Sequence, residues 1–307
     1  DQNNLNDASN AIPVMVMPAN ILSVTIGEGN QTDFVPVDMY WKNSLFETIY
    51  YPNEMTMFGE ISAIAFYNNF ESNLPNKPVK IWLGTTTLND LSGGWIPSTQ
   101  LTQVFDGMVT FPSGQNTVIV PLQNVYNYTS GNLVMMVNRP MDTQYFSYSD
   151  VFLSQTLGAS RSLKVEDDNE VYNPANPPTD ALLNGSFPKT TFFMSPLSPN
   201  PSFLVSPNAW DFNTVLLNSE HTRAFSVINM GGGSLGINNI SISGSEFFTL
   251  QGLPAFPITL STGQVLSFTL RYNPTIAGNH SASISINDNL PASRSISISN
   301  TRVLHTI

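Results

Sequence analysis

The sequence predicts an all-β protein made of two sandwich domains, and three observations carry that expectation. Apolar residues recur with a period of two in short runs, the pattern of half-buried strands. Turn-forming residues punctuate those runs: 22 Pro and 19 Gly are spread along the chain, and no long stretch keeps a helical period. The length of 307 residues exceeds what one ordinary sandwich needs and suits two.

Taken in chain order, residues 1–21 read as an arm. Its polar opening is followed by an apolar stretch, residues 11–18, holding Pro13 and Pro18. Ile12, Val14 and Val16 alternate there, as in a strand. Such a segment serves either as the domain's own first strand or as a strand added to a neighbour's sheet. Head-to-tail addition does not close on itself, so it builds filaments.

Residues 22–195 form the first expected domain. Strands are expected at 61–67, 79–83, 117–122 and 133–137, runs rich in Val, Ile and aromatics. Ser92-Gly93-Gly94, residues 112–116 and residues 129–132 are the turns between them. Residues 196–206 read as a stiff linker, because Pro196, Pro199 and Pro201 stand close together. The second domain, 207–307, alternates again at 224–228, 235–242, 266–272 and 281–286, with the size and rhythm of an Ig-like sandwich.

Composition narrows the function. Charged residues are 11% of the chain, less than half the usual share of about 25%. Lys and Arg total 11 against 22 Asp and Glu, a net charge of -11. There is no basic surface to displace counterions from phosphates, so no nucleic-acid partner is expected. No apolar run is long enough to span a bilayer. The absence of cysteine excludes disulfides, thiolate nucleophiles and Cys-ligated metals. An acidic, amide-rich, lysine-poor chain of this kind fits the outside of a bacterial cell.

The residues that carry chemistry elsewhere are few. No nucleophile elbow, zinc-protease helix or phosphate loop is present, so no catalytic residue is assigned and no enzyme activity is expected. Met230 and Gly231-Gly232-Gly233 lie between two strands and read as a turn. His221, His280 and His305 have no neighbouring carboxylate at ligand spacing and read as surface residues. Glu166, Asp167, Asp168 and Glu170, with Asp180 beyond a Pro-rich loop, offer the oxygens a calcium ion takes, without the spacing of a calcium-loop motif. The bland alternative is a solvated loop. Trp41 and Trp95, beside Lys42 and a Gly-Gly turn, are the aromatics most open to stacking on a sugar, with Tyr40, Tyr50, Tyr51, Tyr126 and Tyr128 as further members of a platform. Trp82 alternates within an apolar strand and reads as core.

Two resemblances add to this reading. A Phe225-x-Val227 strand, Asn229 with its Gly cluster, Leu235 and Ile237, a Gly244-x-x-Phe247 step, Phe268, and Tyr272-Asn273-Pro274 leading to Gly278 resemble the Ig-like choice-of-anchor D modules, related to the ASPM-SPD-2-Hydin domains. Where that family often has Phe-Gly, this chain has Phe212-Asn213. In residues 22–193, the Trp82-Leu83-Gly84-Thr85 strand and the strand from Val104-Phe105 to Phe111-Pro112 resemble a module of large secreted Bacteroidetes proteins. That resemblance implies a jelly-roll-like sandwich and extracellular display, and no defined activity. The expected protein is thus a non-catalytic extracellular subunit. Its partners are copies of itself in a filament, and surface glycans in the alternative reading of a carbohydrate-binding module or a segment of an adhesin.

Overall fold

The computed structural model describes residues 21–304. The segment carrying Ile12, Val14 and Val16 lies outside the described residues, as does His305. The described chain is almost wholly β, with one short helix, Pro52–Met55, and one 3-10 turn, Ser98–Gln100. All eight strands expected by residue range are present. For example, 61–67 lies within Gly59–Phe70 and 117–122 within Gly114–Tyr128.

The first sandwich packs a seven-stranded sheet on a six-stranded one, with every strand pair antiparallel. Leu22–Ile26 is the end strand of the larger sheet and pairs with Thr190–Pro196. Between the sheets lies one apolar core that includes Phe46, Tyr50, Ile64, Phe66, Phe111 and Phe192.

The six-stranded sheet also buries the middle of its other face. Asn43–Tyr50 is buried at every position. Residues from 87–101 and 168–181 fold over that face, where Leu45, Ile49, Trp82 and Met136 meet Trp95, Ile96 and Ala181. Burial on both faces removes the alternation by which a strand is read from sequence.

The edge strand Thr102–Phe111 is sealed by side-chain amides. Gln123, from the opposing sheet, accepts the N–H of Asp106 at 2.9 Å and donates to its carbonyl at 2.9 Å. It thereby copies the pairing that a neighbouring strand would make. Asn124 donates to the carbonyl of Gln103 at 3.2 Å. This is one use of the amides that stand in for charge in the composition.

The second sandwich packs a four-stranded sheet on a five-stranded one. In the larger sheet Ile240, Ile284, Ile286, Ile296 and Ile298 face the core while serines alternate outward, a clean period of two. The first strand of this sandwich, Phe203–Ser206, joins the four-stranded sheet by pairing antiparallel with residues 226–229, after which Ala209–Asp211 joins the five-stranded sheet in parallel with Arg294–Ser299. The second domain therefore begins at Phe203 and not at 207. The linker expected at 196–206 shortens to 197–202.

That linker is not free. Asn229, fully buried, accepts the N–H of Ser202 at 3.1 Å and of Gly231 at 3.2 Å, and donates to the carbonyls of Gly233 and Leu260 at 3.0 Å each. The linker backbone lies against Gly231, Gly232 and Gly233, where an added Cβ would collide with the carbonyls of Asn200, Ser198 and Pro199. The glycine run does more than turn the chain: it lets two backbones touch. The N–H of Phe58 in the first sandwich donates to the carbonyl of Met230 at 2.7 Å.

Candidate functional site

An aromatic cleft on the first sandwich is the candidate site. It is built on the turn between the strands Gln31–Asp33 and Asn43–Tyr50. Within the turn the N–H of Tyr40 donates to the Asp38 carboxylate at 3.0 Å, and the N–H of Asp38 donates to the Ser44 hydroxyl at 3.2 Å.

The turn rests on Arg139, which ends the strand Asn132–Arg139 and is fully buried. One guanidinium nitrogen donates to the carbonyls of Asp38 at 3.1 Å and Met39 at 3.4 Å, and also to that of Trp41. The other pairs with Asp142 at 3.1 Å and donates to the carbonyl of Gln144 at 2.9 Å. Arg139 therefore holds two loops at once, 38–42 and 140–148. The loops also bond to each other: Asp142 N–H to Lys42 O and Phe146 N–H to Met39 O, both at 2.8 Å. A rigid planar fork with five donors suits this task, which a lysine could not perform.

The two loops and Phe34 bring five aromatic rings together. Tyr40 stands edge-on to Trp41 at 5.7 Å and 85°, and to Tyr148 at 5.3 Å and 88°. Tyr145 approaches Tyr40 at 6.5 Å, and Phe34 approaches Tyr148 at 4.8 Å. Tyr145 and Tyr148 are 59% and 67% exposed, far more than tyrosines held for packing alone. Phe34, Tyr40, Trp41 and Tyr148 line a cavity of about 240 Å³ together with Asp38, Lys164 and Glu166.

Lys164 and Glu166 stand two apart on the strand Ser162–Asp167, so they share one face. They pair with each other at 3.7 Å, and the Lys164 ammonium lies 5.7 Å from the centre of the Phe34 ring. Burial pushes the Asp38 carboxyl up to about 6; Lys164 opposes that rise and Glu166 adds to it.

The acidic residues expected to hold calcium separate. Glu166, Glu170 and Asp180 border a second, open groove with Tyr172 and Lys164. Asp167 turns inward on its own loop, where the N–H groups of Asn169 and Glu170 hold its carboxylate below the ordinary range. Asp168 accepts the N–H of Lys42 at 3.0 Å, and the carbonyl of Glu170 accepts from Asn43 at 2.6 Å, so this loop braces the aromatic turn. Among the described residues no group of three acidic or imidazole side chains is placed to share a metal ion.

Trp41 and Trp95 do not form one platform. Trp95 donates its indole N–H to the carbonyl of Pro178 at 2.9 Å and borders a different hollow, with Gly94 and Pro177. Tyr50 and Tyr128 are fully buried. Trp82 is core, at 8% exposure. Trp41 meets Tyr40, and Tyr40 is met by Tyr145 and Tyr148 from about a hundred residues away, which no local pattern could have joined to it.

Glu47 is a further buried acid, at the centre of the fully covered strand. It accepts the N–H of Ile96 at 2.9 Å through one oxygen, and its other oxygen is buried without a partner. Burial pushes its carboxyl up to about 8. His280 and His221 bond to Tyr272 and Ser219, both at 2.8 Å.

Residues 201–301 match the family model described as HYDIN/CFA65/VesB-like, Ig-like domain. The second sandwich is an Ig-like domain. No curated protein sequence matches the chain. Among solved structures, a family 123 glycoside hydrolase from Clostridium perfringens is similar at 10% identity and a TM-score of 0.29, over 35% of this chain and 28% of that one. The chain thus spans less than a third of that protein's length. The ASH/PapD-like domain of human CEP192 is similar at 9% identity and a TM-score of 0.27, over 36% of this chain and 90% of that domain. The VesB protease of Vibrio cholerae is similar at 10% identity and a TM-score of 0.28, over 86% of this chain and 96% of that one. At these scores the likenesses say nothing of activity.

Proposed function

We propose that the protein is a non-catalytic extracellular adhesive subunit. Its first sandwich offers the aromatic cleft to a ligand, and its Ig-like sandwich is the structural partner fixed to it by the clamped linker. The observation that carries this reading is the cleft itself. Exposed aromatic rings are costly on a free surface, and these are held on two loops locked by a buried arginine, so little ordering remains for binding to supply. The same cleft favours a carbohydrate-binding accessory module as the second reading, with a surface glycan as ligand.

Assembly is the other half of the proposal: copies join head to tail through the segment carrying Ile12, Val14 and Val16. Its support is that Leu22–Ile26, which follows that segment, is the end strand of its sheet, where strand addition takes place. Low charge leaves little to desolvate between subunits, and a net charge of -11 keeps free subunits soluble. Negative-stain electron microscopy of the purified protein, with and without residues 1–18, tests this half. Filaments that vanish on truncation support assembly, and monodisperse particles in both samples refute it. A glycan array probed with the truncated protein then tests the cleft on its own.

A further inference from the structure

We infer that the cleft lined by Phe34, Tyr40, Trp41 and Tyr148 binds an organic ammonium group. This rests on the proposal that the cleft is a ligand site and names the chemistry it would take. Three features point to a cation. The first is ring geometry. Tyr40 is nearly perpendicular to both Trp41 and Tyr148, at 85° and 88°, so the rings form walls and not a flat surface on which a sugar ring would lie. Four aromatic rings, Phe34, Tyr40, Trp41 and Tyr148, line this one cavity, and aromatic surface attracts an ammonium or alkylammonium head group through the ring quadrupole.

The second is charge. Asp38, Glu166 and Lys164 are the charged residues that line the cavity, two carboxylates against one ammonium. Asp38 is 4% exposed, so its charge acts in a medium that screens it weakly. Lys164 already sits as a cation should, 3.7 Å from the Glu166 carboxylate and 5.7 Å from the Phe34 ring, and its own ammonium marks the position a ligand would compete for.

The third is size. A volume of about 240 Å³ lies below the roughly 300–1,000 Å³ of pockets that engulf drug-sized ligands. It suits a compact head group borne on a larger molecule outside. Two sources present that chemistry, a quaternary ammonium and the free amine of an amino sugar.

The test is isothermal titration calorimetry on the full chain at low ionic strength with four probes: choline, its uncharged isostere 3,3-dimethyl-1-butanol, glucosamine and N-acetylglucosamine. The expected result is heat of binding for choline or glucosamine, whichever source is real, and none for the neutral partner of each pair. Tyr148→Ala should weaken that binding about threefold to thirtyfold. Glu166→Gln should weaken it too, while Lys164→Met should tighten it by removing the competing ammonium. Circular dichroism spectra matching the parent establish that the variants are folded. Equal or tighter binding of the neutral probes would overturn the cation assignment and leave the ligand cleft standing. Binding of no probe, with glycans also failing on the array, would overturn both. A cation that binds Lys164→Met more weakly than the parent would also refute the proposal.

Discussion

Replacing Arg139 by Met should unfasten the aromatic cleft and lower the stability of the first sandwich. Met keeps an unbranched apolar stem and removes the guanidinium head. Gone are donations to the carbonyls of Asp38, Met39, Trp41 and Gln144 and the pair with Asp142. Asp142 keeps Lys77 at 3.5 Å, so its charge is not orphaned. The carbonyls of Asp38 and Trp41 lose the guanidinium donor. A buried carbonyl left without a donor costs about 1–3 kcal/mol, so the two together give a loss on the order of 3–5 kcal/mol. For a domain of this size each kcal/mol lowers Tm by about 2–4 °C, which gives a fall on the order of 6–20 °C. Thermal unfolding followed by near-ultraviolet circular dichroism reads the effect, because Tyr40, Trp41, Tyr145 and Tyr148 lose their fixed mutual orientation. Arg139→Lys should fall between parent and Met, since an ammonium cannot fork to both loops. A Tm for Arg139→Met within about 2 °C of the parent would refute the assignment of Arg139 as the brace of the cleft.

Other consequences follow from single side chains. Glu47, with its carboxyl pushed up to about 8 in the folded chain against 4.5 unfolded, favours the folded state most when protonated. Stability should therefore fall as pH rises from about 4.5 to about 8 and level off above that, whereas Glu47→Gln should lose this component of the slope; denaturant titrations at several pH values give the comparison, and an unchanged slope refutes it. Gly232→Ala should push the linker off its glycine bed, at a cost of about 1–3 kcal/mol, and expose residues 197–202 to limited proteolysis. Cleavage no faster than in the parent would count against the clamp.

The fold was legible where one face of a strand is wet. The alternating isoleucines and serines at 281–286 are read directly from sequence, and the Ig-like domain with them. Asn43–Tyr50 was not, because loops cover its outer face and Glu47 lies in its middle, where a charged residue argues for solvent. Phe203–Ser206 was hidden by the prolines before it. The cleft was half legible: Trp41 and Tyr40 stand out locally, but Tyr145 and Tyr148 join them only in the folded chain, where Arg139 and backbone bonds tie the two loops together. A lone arginine between Asn138 and Pro140 reads as the polar end of a strand. Its burial becomes visible only when two distant loops are seen to need the same donor. The acidic run at 166–170 shows the reverse case, where suitable residue types stand together in sequence and the backbone turns them to separate tasks.

The sealing of the Thr102–Phe111 edge by Gln123 and Asn124, and the clamp at Asn229, have a consequence for how the molecule ages. Side-chain amides are among the thermolabile groups of a protein. Each of these amides acts as a donor, and hydrolysis to a carboxylate removes that role while adding a negative charge. At Gln123 the new charge would arise beside Asp106, in a chain whose net charge is already -11. Hydrolysis at these positions would thus act on the margins of the sheets and on the linker, as opened edges and rising acidity, while the isoleucines of the core carry no amide to lose.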